Sequence, residues 1–327
     1  MSRERFEYLE IGERKASRVP AEETLALPSV SAVSLPSVRA RARTAFRVAE
    51  TIGGYGEGLG EFRAPTGLAA DAQGAIYVAD SGNHRVQKIT REGDVFGLGS
   101  RGSAPGQFLS PQGVAVDSVG FVYVVEEGNH RLQKFSPRGQ LMFCLGSGRP
   151  STYRFDSPSG LALDRFHNIY VADTGNSRLR SFTATGRTRP GFLLLASDVE
   201  LNKPQGVAVD EEGFIYLADT MNHRLVRLEP KGSFSLAVGE EGEGRGQLRE
   251  PRALAVDLDG GLLVADSGNN RLQKLDARGK LICVFGDSVR GSEPACPGGL
   301  ALDRAGNLYL SDSRNHRVLR LVASEAG

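Results

Sequence analysis

The sequence predicts an all-β fold, a six-bladed β-propeller built from four-stranded antiparallel blades. Three observations carry this. One phrase recurs six times, its leading proline falling at Pro65, Pro111, Pro158, Pro204, Pro251 and Pro297, a period of 46 or 47 residues. Periods this long belong to solenoids, propellers or arrays. Each copy reads as strand, turn, strand, turn, strand. The repeat region also opens on the one strand that its last copy lacks.

The copy at 204–228 shows the elements in order. "GVAVD" alternates and ends in Asp210, "EEG" supplies a turn, and "FIYLAD" is aromatic and β-branched. "TMN" turns again, and "HRLVRL" alternates polar with apolar. Val, Ile, Tyr and Phe suit a pleated, half-buried strand, while Gly, Asp and Asn supply the turns. A fourth strand follows most copies, as in "LMFCLGSG" at 141–148 and "LICVFGDS" at 281–288. The sixth copy ends at Leu321 without one, whereas "FRVAETIGG" from Phe46 has its character. Phe46–Ile52 is therefore expected to pair with Arg317–Leu321 and close the ring. Closure matters because an open sheet edge leaves unpaired N–H and C=O groups, and radial repetition is how propellers protect their edges.

Three segments follow: an arm at 1–44, the propeller at 45–321 and a tail at 322–327. The arm contains Pro20, Pro28 and Pro36, writes "LPSV" twice, and carries Arg39, Arg41 and Arg43 at alternate positions. It reads as an extended, solvated linker rather than a docking or nucleic-acid tail. Lys plus Arg is 40 against 39 for Asp plus Glu, so no global field draws in nucleic acid or an anionic membrane. Cys144, Cys283 and Cys296 do not share a repeat position. An odd, scattered count fits a reducing compartment and predicts no disulfide-linked partner. The start of the sequence lacks the apolar run of a secretory signal, and no apolar run is long enough for a membrane span. The expectation is a cytoplasmic protein without a membrane partner.

Residues present in every copy are expected to hold the blade together. The first-turn Asp (Asp71, Asp117, Asp164, Asp210, Asp257, Asp303) can bond its own backbone two residues on. The carboxylate opening each second turn (Asp80, Glu126, Asp173, Asp219, Asp266, Asp312) lies five residues before an Arg, which predicts an Arg–carboxylate clasp, best if bidentate. The Asn two residues before that Arg suits a left-handed turn. His84, His130, His223 and His316 share one position and are expected to contact their own blade, while His167 sits in a different turn. No His-Glu-x-x-His or Cys-x-x-Cys spacing occurs, so neither metal nor cofactor is expected. The Gly-x-Gly-x-x-Gly at Gly97, Gly99 and Gly102 precedes "SAPGQF" rather than a helix, so it reads as a blade connection. "DLDG" at 257–260 reads as an ordinary turn rather than a calcium loop.

The phrases "DSGNHRVQKI" (80–89), "EEGNHRLQKF" (126–135), "DTGNSRLRSF" (173–182), "DTMNHRLVRL" (219–228), "DSGNNRLQKL" (266–275) and "DSRNHRVLRL" (312–321) resemble the NHL repeat. The resemblance implies the propeller fold with protein or RNA docking on one face. Some relatives sit beside zinc-binding ubiquitin-ligase modules, for which this chain has no cysteine cluster. Other six-bladed relatives are metal-dependent peptide-amidating lyases and lactonase-like hydrolases, which need a channel-lining ligand set. The residues of the first strands here are Gly, Val, Leu and Ala.

Function is therefore sought where single blades depart from the rest. The loops leading into the first strands and those joining the second to the third are expected on one face. That face would collect Arg63, Lys203, Arg249 and Arg252, together with Gln112 and Gln205 after their prolines. Glu126 and Glu127 of blade two would form an acidic counter-patch. A mixed-charge face suits a protein or peptide. RNA ranks lower, because tryptophan is absent, acids interleave the arginines, and RNA binding calls for a basic groove with stacking aromatics.

Overall fold

The structure is a computed structural model that describes residues 45–146, 154–189, 192, 199–286 and 294–324. The sequence-predicted arm at 1–44 lies outside the described residues. Strand β1 is Ala45–Ile52. Blade one holds β2 (Pro65–Ala70), β3 (Ile76–Asp80), β4 (Arg85–Ile89) and β5 (Val95–Leu98). Blade two holds β6 (Pro111–Val116), β7 (Val122–Glu126), β8 (Arg131–Phe135) and β9 (Leu141–Leu145). Blade three holds β10 (Leu161–Leu163), β11 (Ile169–Asp173) and β12 (Arg178–Phe182). Blade four holds β13 (Val207–Val209), β14 (Ile215–Asp219), β15 (Arg224–Leu228) and β16 (Phe234–Val238). Blade five holds β17 (Pro251–Val256), β18 (Leu262–Asp266), β19 (Arg271–Leu275) and β20 (Leu281–Phe285). Blade six holds β21 (Pro297–Leu302), β22 (Leu308–Asp312) and β23 (Arg317–Ser324), with β1 as its outer strand.

Each sheet is antiparallel and, apart from β1 beside β23 in blade six, runs in strand order; five of the six have four strands. Blade three departs from the four-stranded expectation: its described residues form three strands plus one isolated bridge, Phe182 to Thr188. The ring closes as expected, Phe46 lying opposite Ala323 and Ile52 opposite Val318. β23 continues beyond Leu321, and Ser324 pairs with Ala45, so the final strand takes in part of the sequence-predicted tail.

The second strands (β3, β7, β11, β14, β18, β22) are buried on both faces, because a blade stands on either side of each. This accounts for their unbroken apolar runs. Six apolar clusters result, one at each interface between neighbouring blades. An apolar residue from the preceding loop wedges into most of them, as with Phe62, Phe108, Phe155 and Leu248, all buried. The glycine-rich loops before Phe62, Phe108 and Leu248 share one shape. Phe62 N–H donates to Gly54 O (2.8 Å), Phe108 N–H to Ser100 O (2.8 Å), and Leu248 N–H to Glu240 O (2.9 Å). The glycine triplet at 97–102 belongs to this series of blade connections.

At the hub the inner strands approach so closely that a Cβ on Gly160 would lie 1.8 Å from the Gln205 carbonyl oxygen of the next blade. Among the described residues no helix is long and apolar enough to cross a membrane.

Candidate functional site: the channel mouth

The site-bearing face is assembled by a hydrogen-bonded unit repeated around the ring. Each second strand ends in a fully buried carboxylate that faces the first residue of the third strand, as Asp80 faces Arg85. The arginine Nε lies 2.6–2.8 Å from that carboxylate in all six blades. The clasp is not bidentate. The remaining guanidinium N–H groups turn to carbonyls of the incoming loop, as Arg131 donates to Ser103, Ala104 and Gln107. The carboxylate also accepts a backbone N–H from that loop, Arg63 to Asp80 and Arg249 to Asp266, both at 2.7 Å. Charge-assisted bonds of this length are the strong ones. They fix the loops that carry Arg63 and Arg249.

The turn after the carboxylate is a single 3-10 turn in five blades and a hydrogen-bonded turn at 127–130 in blade two. Its left-handed residue is the one after the asparagine: His84, His130, Ser177, His223, Asn270 and His316 have φ between 49° and 58°. The asparagine instead uses its side-chain amide, as Asn83 Nδ2 donates to Asp80 (2.9 Å). The histidines do not serve their own blade. His84 Nδ1 accepts the Ser110 N–H of blade two (3.0 Å), His130 that of Ser157 (2.9 Å), His223 that of Glu250 (3.0 Å) and His316 that of Ala64 (3.0 Å). Ser177 Oγ and Asn270 Oδ1 take the same role toward Lys203 and Cys296. A second link joins the same neighbours. Thr174 Oγ1 donates to Pro204 O (2.7 Å) and Thr220 Oγ1 to Pro251 O (2.8 Å), with Ser81, Ser267 and Ser313 acting alike. Blade two places Glu127 at this position.

These links converge on the mouth of the central channel, a cavity of about 300 Å³. Its rim carries the residue after each proline: Thr66, Gln112, Ser159, Gln205, Arg252 and Gly298. Deeper along the same strands stand Leu68, Val114, Leu161, Val207, Leu254 and Leu300. Among the described residues, the ionisable side chains lining this cavity are those of Arg252 and Cys296. Arg252 Nη1 lies 3.6 Å from Cys296 Sγ and Nη2 lies 3.6 Å from Glu250. Its Nε is buried and has no hydrogen-bond partner.

Of the sequence-predicted site residues, Gln112, Gln205 and Arg252 meet at this rim. Arg63, Lys203 and Arg249 lie outside it on the incoming loops and are exposed. Acids accompany two of them, Arg249 beside Glu243 (2.8 Å) and Arg63 beside Glu57 (3.9 Å). Glu127 is exposed and accepts the Gln112 amide (2.8 Å). Glu126 is not part of a surface counter-patch. It has no exposed surface and is the clasp carboxylate of blade two, bonded to Arg131, Asn129, Gln133 and Leu109 N–H. Its place in the repeat, five residues before Arg131, is the signal that assigns it.

The opposite face repeats its own unit. The first-turn Asp accepts backbone N–H groups two and four residues on, as Asp71 does from Gln73 and Ala75. In five blades it also accepts a tyrosine hydroxyl, from Tyr77, Tyr123, Tyr170, Tyr216 and Tyr309. Burial first, then the Asp210 charge, pushes Tyr216 up to about 12, which keeps it a donor. Blade five has Leu263 there, and Lys274 reaches Asp257 directly (2.7 Å). Blade three departs most. His167 has φ +61°, where the other five blades have Gly74, Gly120, Gly213, Gly260 and Gly306. Its Nε2 lies 3.0 Å from Ser118 Oγ, and its Nδ1 lies 3.7 Å from Asp117. This outlines a Ser-His-Asp group, but the N–H groups of Val119, Gly120 and Phe121 are all bonded to Asp117. They are therefore not open to a developing oxyanion, the donor role that acyl transfer requires. Among the described residues no group of three or more His, Cys, Asp or Glu is placed to hold a metal.

Fold and clasps together define a closed propeller whose blades are written by one repeat. Six segments, 62–89, 108–135, 155–182, 201–228, 248–275 and 295–321, match the NHL repeat, and the chain belongs to that family. Among solved structures it is similar to a protein of unknown function from Bacteroides thetaiotaomicron, at 17% identity and TM-score 0.68, over 85% of this chain and 76% of that one. It is also similar to a gluconolactonase from Xanthomonas campestris, at 17% identity and TM-score 0.62, over 84% and 99% of the two chains. A streptogramin B lyase aligns at 13% identity and TM-score 0.61, over 86% and 99%. At these identities the likeness is one of fold. No curated protein sequence matches the chain.

Proposed function

We propose that this protein is a non-catalytic propeller scaffold that holds a protein or peptide on the channel-mouth face. The observation that carries this is the contrast between frame and departures. Six clasps and six inter-blade links hold the loops of this face rigidly. The side chains that differ between blades, Arg63, Lys203, Arg249, Arg252, Gln112 and Glu127, stand on those loops and at the rim. Exposed mixed charge on a rigid frame favours a polypeptide partner, with rim charges steering encounter. An RNA backbone would meet Glu57, Glu127, Glu243 and Glu250 among the cations. A lyase or lactonase chemistry would need an acid–base pair or ligand set in the channel, whereas the described residues lining it offer neither a histidine nor a carboxylate.

The test begins with a peptide selected on the immobilised propeller from a displayed library. The double reversal Lys203→Glu/Arg249→Glu should weaken its binding about tenfold and flatten its salt dependence. Arg165→Glu on the opposite face should do neither. Unchanged affinity in the double variant would place the partner elsewhere.

A further inference from the structure

Five of the six rim positions hold uncharged residues, and blade five alone holds a guanidinium, that of Arg252. Its surroundings leave it underused. The Glu250 contact at 3.6 Å joins two side chains that are each about 40% exposed, which makes a weak pair. Cys296 Sγ is a poor acceptor at 3.6 Å. The buried Nε donates to nothing, although buried polar groups as a rule are hydrogen-bonded. The position therefore suits an oxyanion able to accept two N–H groups from one planar fork, the geometry of a carboxylate.

The well below says what carries that carboxylate. Strand β17 advances about 3.3 Å per residue, so Leu254 stands two residues deeper than Arg252. Val207 and Leu300 stand at matching depth on β13 and β21. A guest must present its charge at the rim and an apolar group below it. An aspartate or glutamate side chain entering the well does the reverse, placing charge at its deep end. The last residue of a polypeptide fits, because its carboxylate branches from the same carbon as its side chain. The cavity of about 300 Å³ suits one such residue.

We propose that the channel well captures the free C-terminal carboxylate of a peptide, with Arg252 on the carboxylate and an apolar last side chain against Leu254, Val207 and Leu300. This rests on the polypeptide-binding reading of the face and adds the chemistry of the anchor.

Three probes test it: acetyl-Ala-Ala-Leu with a free carboxyl, the same tripeptide amidated, and N-acetyl-leucine. Affinity is read by calorimetry, and occupancy of the well by the rate at which iodoacetamide alkylates Cys296, followed by peptide mass. The free-acid tripeptide should bind at least tenfold more tightly than the amide and slow Cys296 alkylation. Arg252→Gln, with an unchanged melting temperature, should make acid and amide equal, and Arg252→Lys should restore only part of the difference. Equal binding of acid and amide to the native protein, or no slowing of alkylation by the acid, overturns the proposal. Binding of N-acetyl-leucine as tight as that of the tripeptide overturns its peptide part. Lys203 and Arg249 are intact in every arm, so failure here leaves the reversal test of the face standing, and the reverse also holds.

Discussion

One position holds different side chains from blade to blade while keeping one bond. His84, His130, His223 and His316 each offer Nδ1 to the next blade, and Asn270 offers Oδ1 in their place. A protonated imidazole has no acceptor nitrogen, so the link fails on acidification. For His84 the direction is set by burial first, then by Arg101 and Arg63, which together pull it below its ordinary value against the opposing Asp80. A histidine whose folded value is depressed contributes stability above its unfolded value, about 6.5. That contribution is lost as pH falls toward the folded value, because the unfolded chain then binds the proton more readily. One such hydrogen bond is worth about 1 kcal/mol, or about 2–4 °C in Tm for a domain of this size. Asn270 supplies the control. His84→Asn should keep the acceptor and remove the titration, so the drop in Tm between pH 7.5 and pH 5 should be smaller in the variant than in the native protein. Equal drops in differential scanning calorimetry would show that His84 does not carry this dependence.

At the scale of the strand, the hub depends on missing side chains. A Cβ at Gly160 would strike the Gln205 carbonyl at 1.8 Å, and backbone cannot rotate away as a side chain can. Gly306 has φ +81° but open space where its Cβ would be. Gly160→Ala should therefore cost about 3 kcal/mol, at the upper end for overpacking, and Gly306→Ala about 1 kcal/mol, the cost of a left-handed residue with a side chain. Urea denaturation of both variants checks the order. If Gly306→Ala is the more damaging, the inner strands are not set by that contact. Much at this scale is legible in the sequence, because it is local. The first-turn Asp bonds residues two and four ahead, and the clasp spans five residues. What one copy cannot show is a partner 26 or 27 residues away in the next blade, which is why the histidine ring's acceptor role is visible only in three dimensions. Glu126 misleads for a related reason. Beside Glu127 it looks like a surface pair, yet alternation along the chain turns one into the buried clasp and the other outward.

For the whole molecule, closure follows from counting strands, and its register follows from which side chains find a core. β1 and β23 face each other through seven residue pairs, with a bulge between Val48 and Glu50. Phe46 and Val48 pack on the cluster between blades five and six, and Ile52 packs on the one between blades six and one. Arg320 Nε adds a bond to Glu50 at 2.8 Å. The closing strand was legible because its sequence is a fourth strand out of place. The channel well was not, since Arg252 and Cys296 are 44 residues apart and meet only because the hub brings neighbouring inner strands together. Three half-buried apolar side chains contribute about 0.75–1.5 kcal/mol each, half of what full burial provides. Their loss, about 3 kcal/mol, is a large share of a typical total of about 5–15 kcal/mol. For a domain of this size it corresponds to a Tm lower by about 10 °C. Truncation before Ala45 leaves β1 whole, whereas truncation before Gly54 removes it and bares the N–H and C=O edge of β23 to other chains. The second truncation should melt about 10 °C below the first and form oligomers detectable by light scattering. A synthetic peptide of residues 45–53 added in trans should recover part of the lost Tm, rising with the logarithm of its concentration above its Kd, because it binds only the folded ring. Coincident melting curves for the two truncations would show that the ring does not depend on this strand for closure.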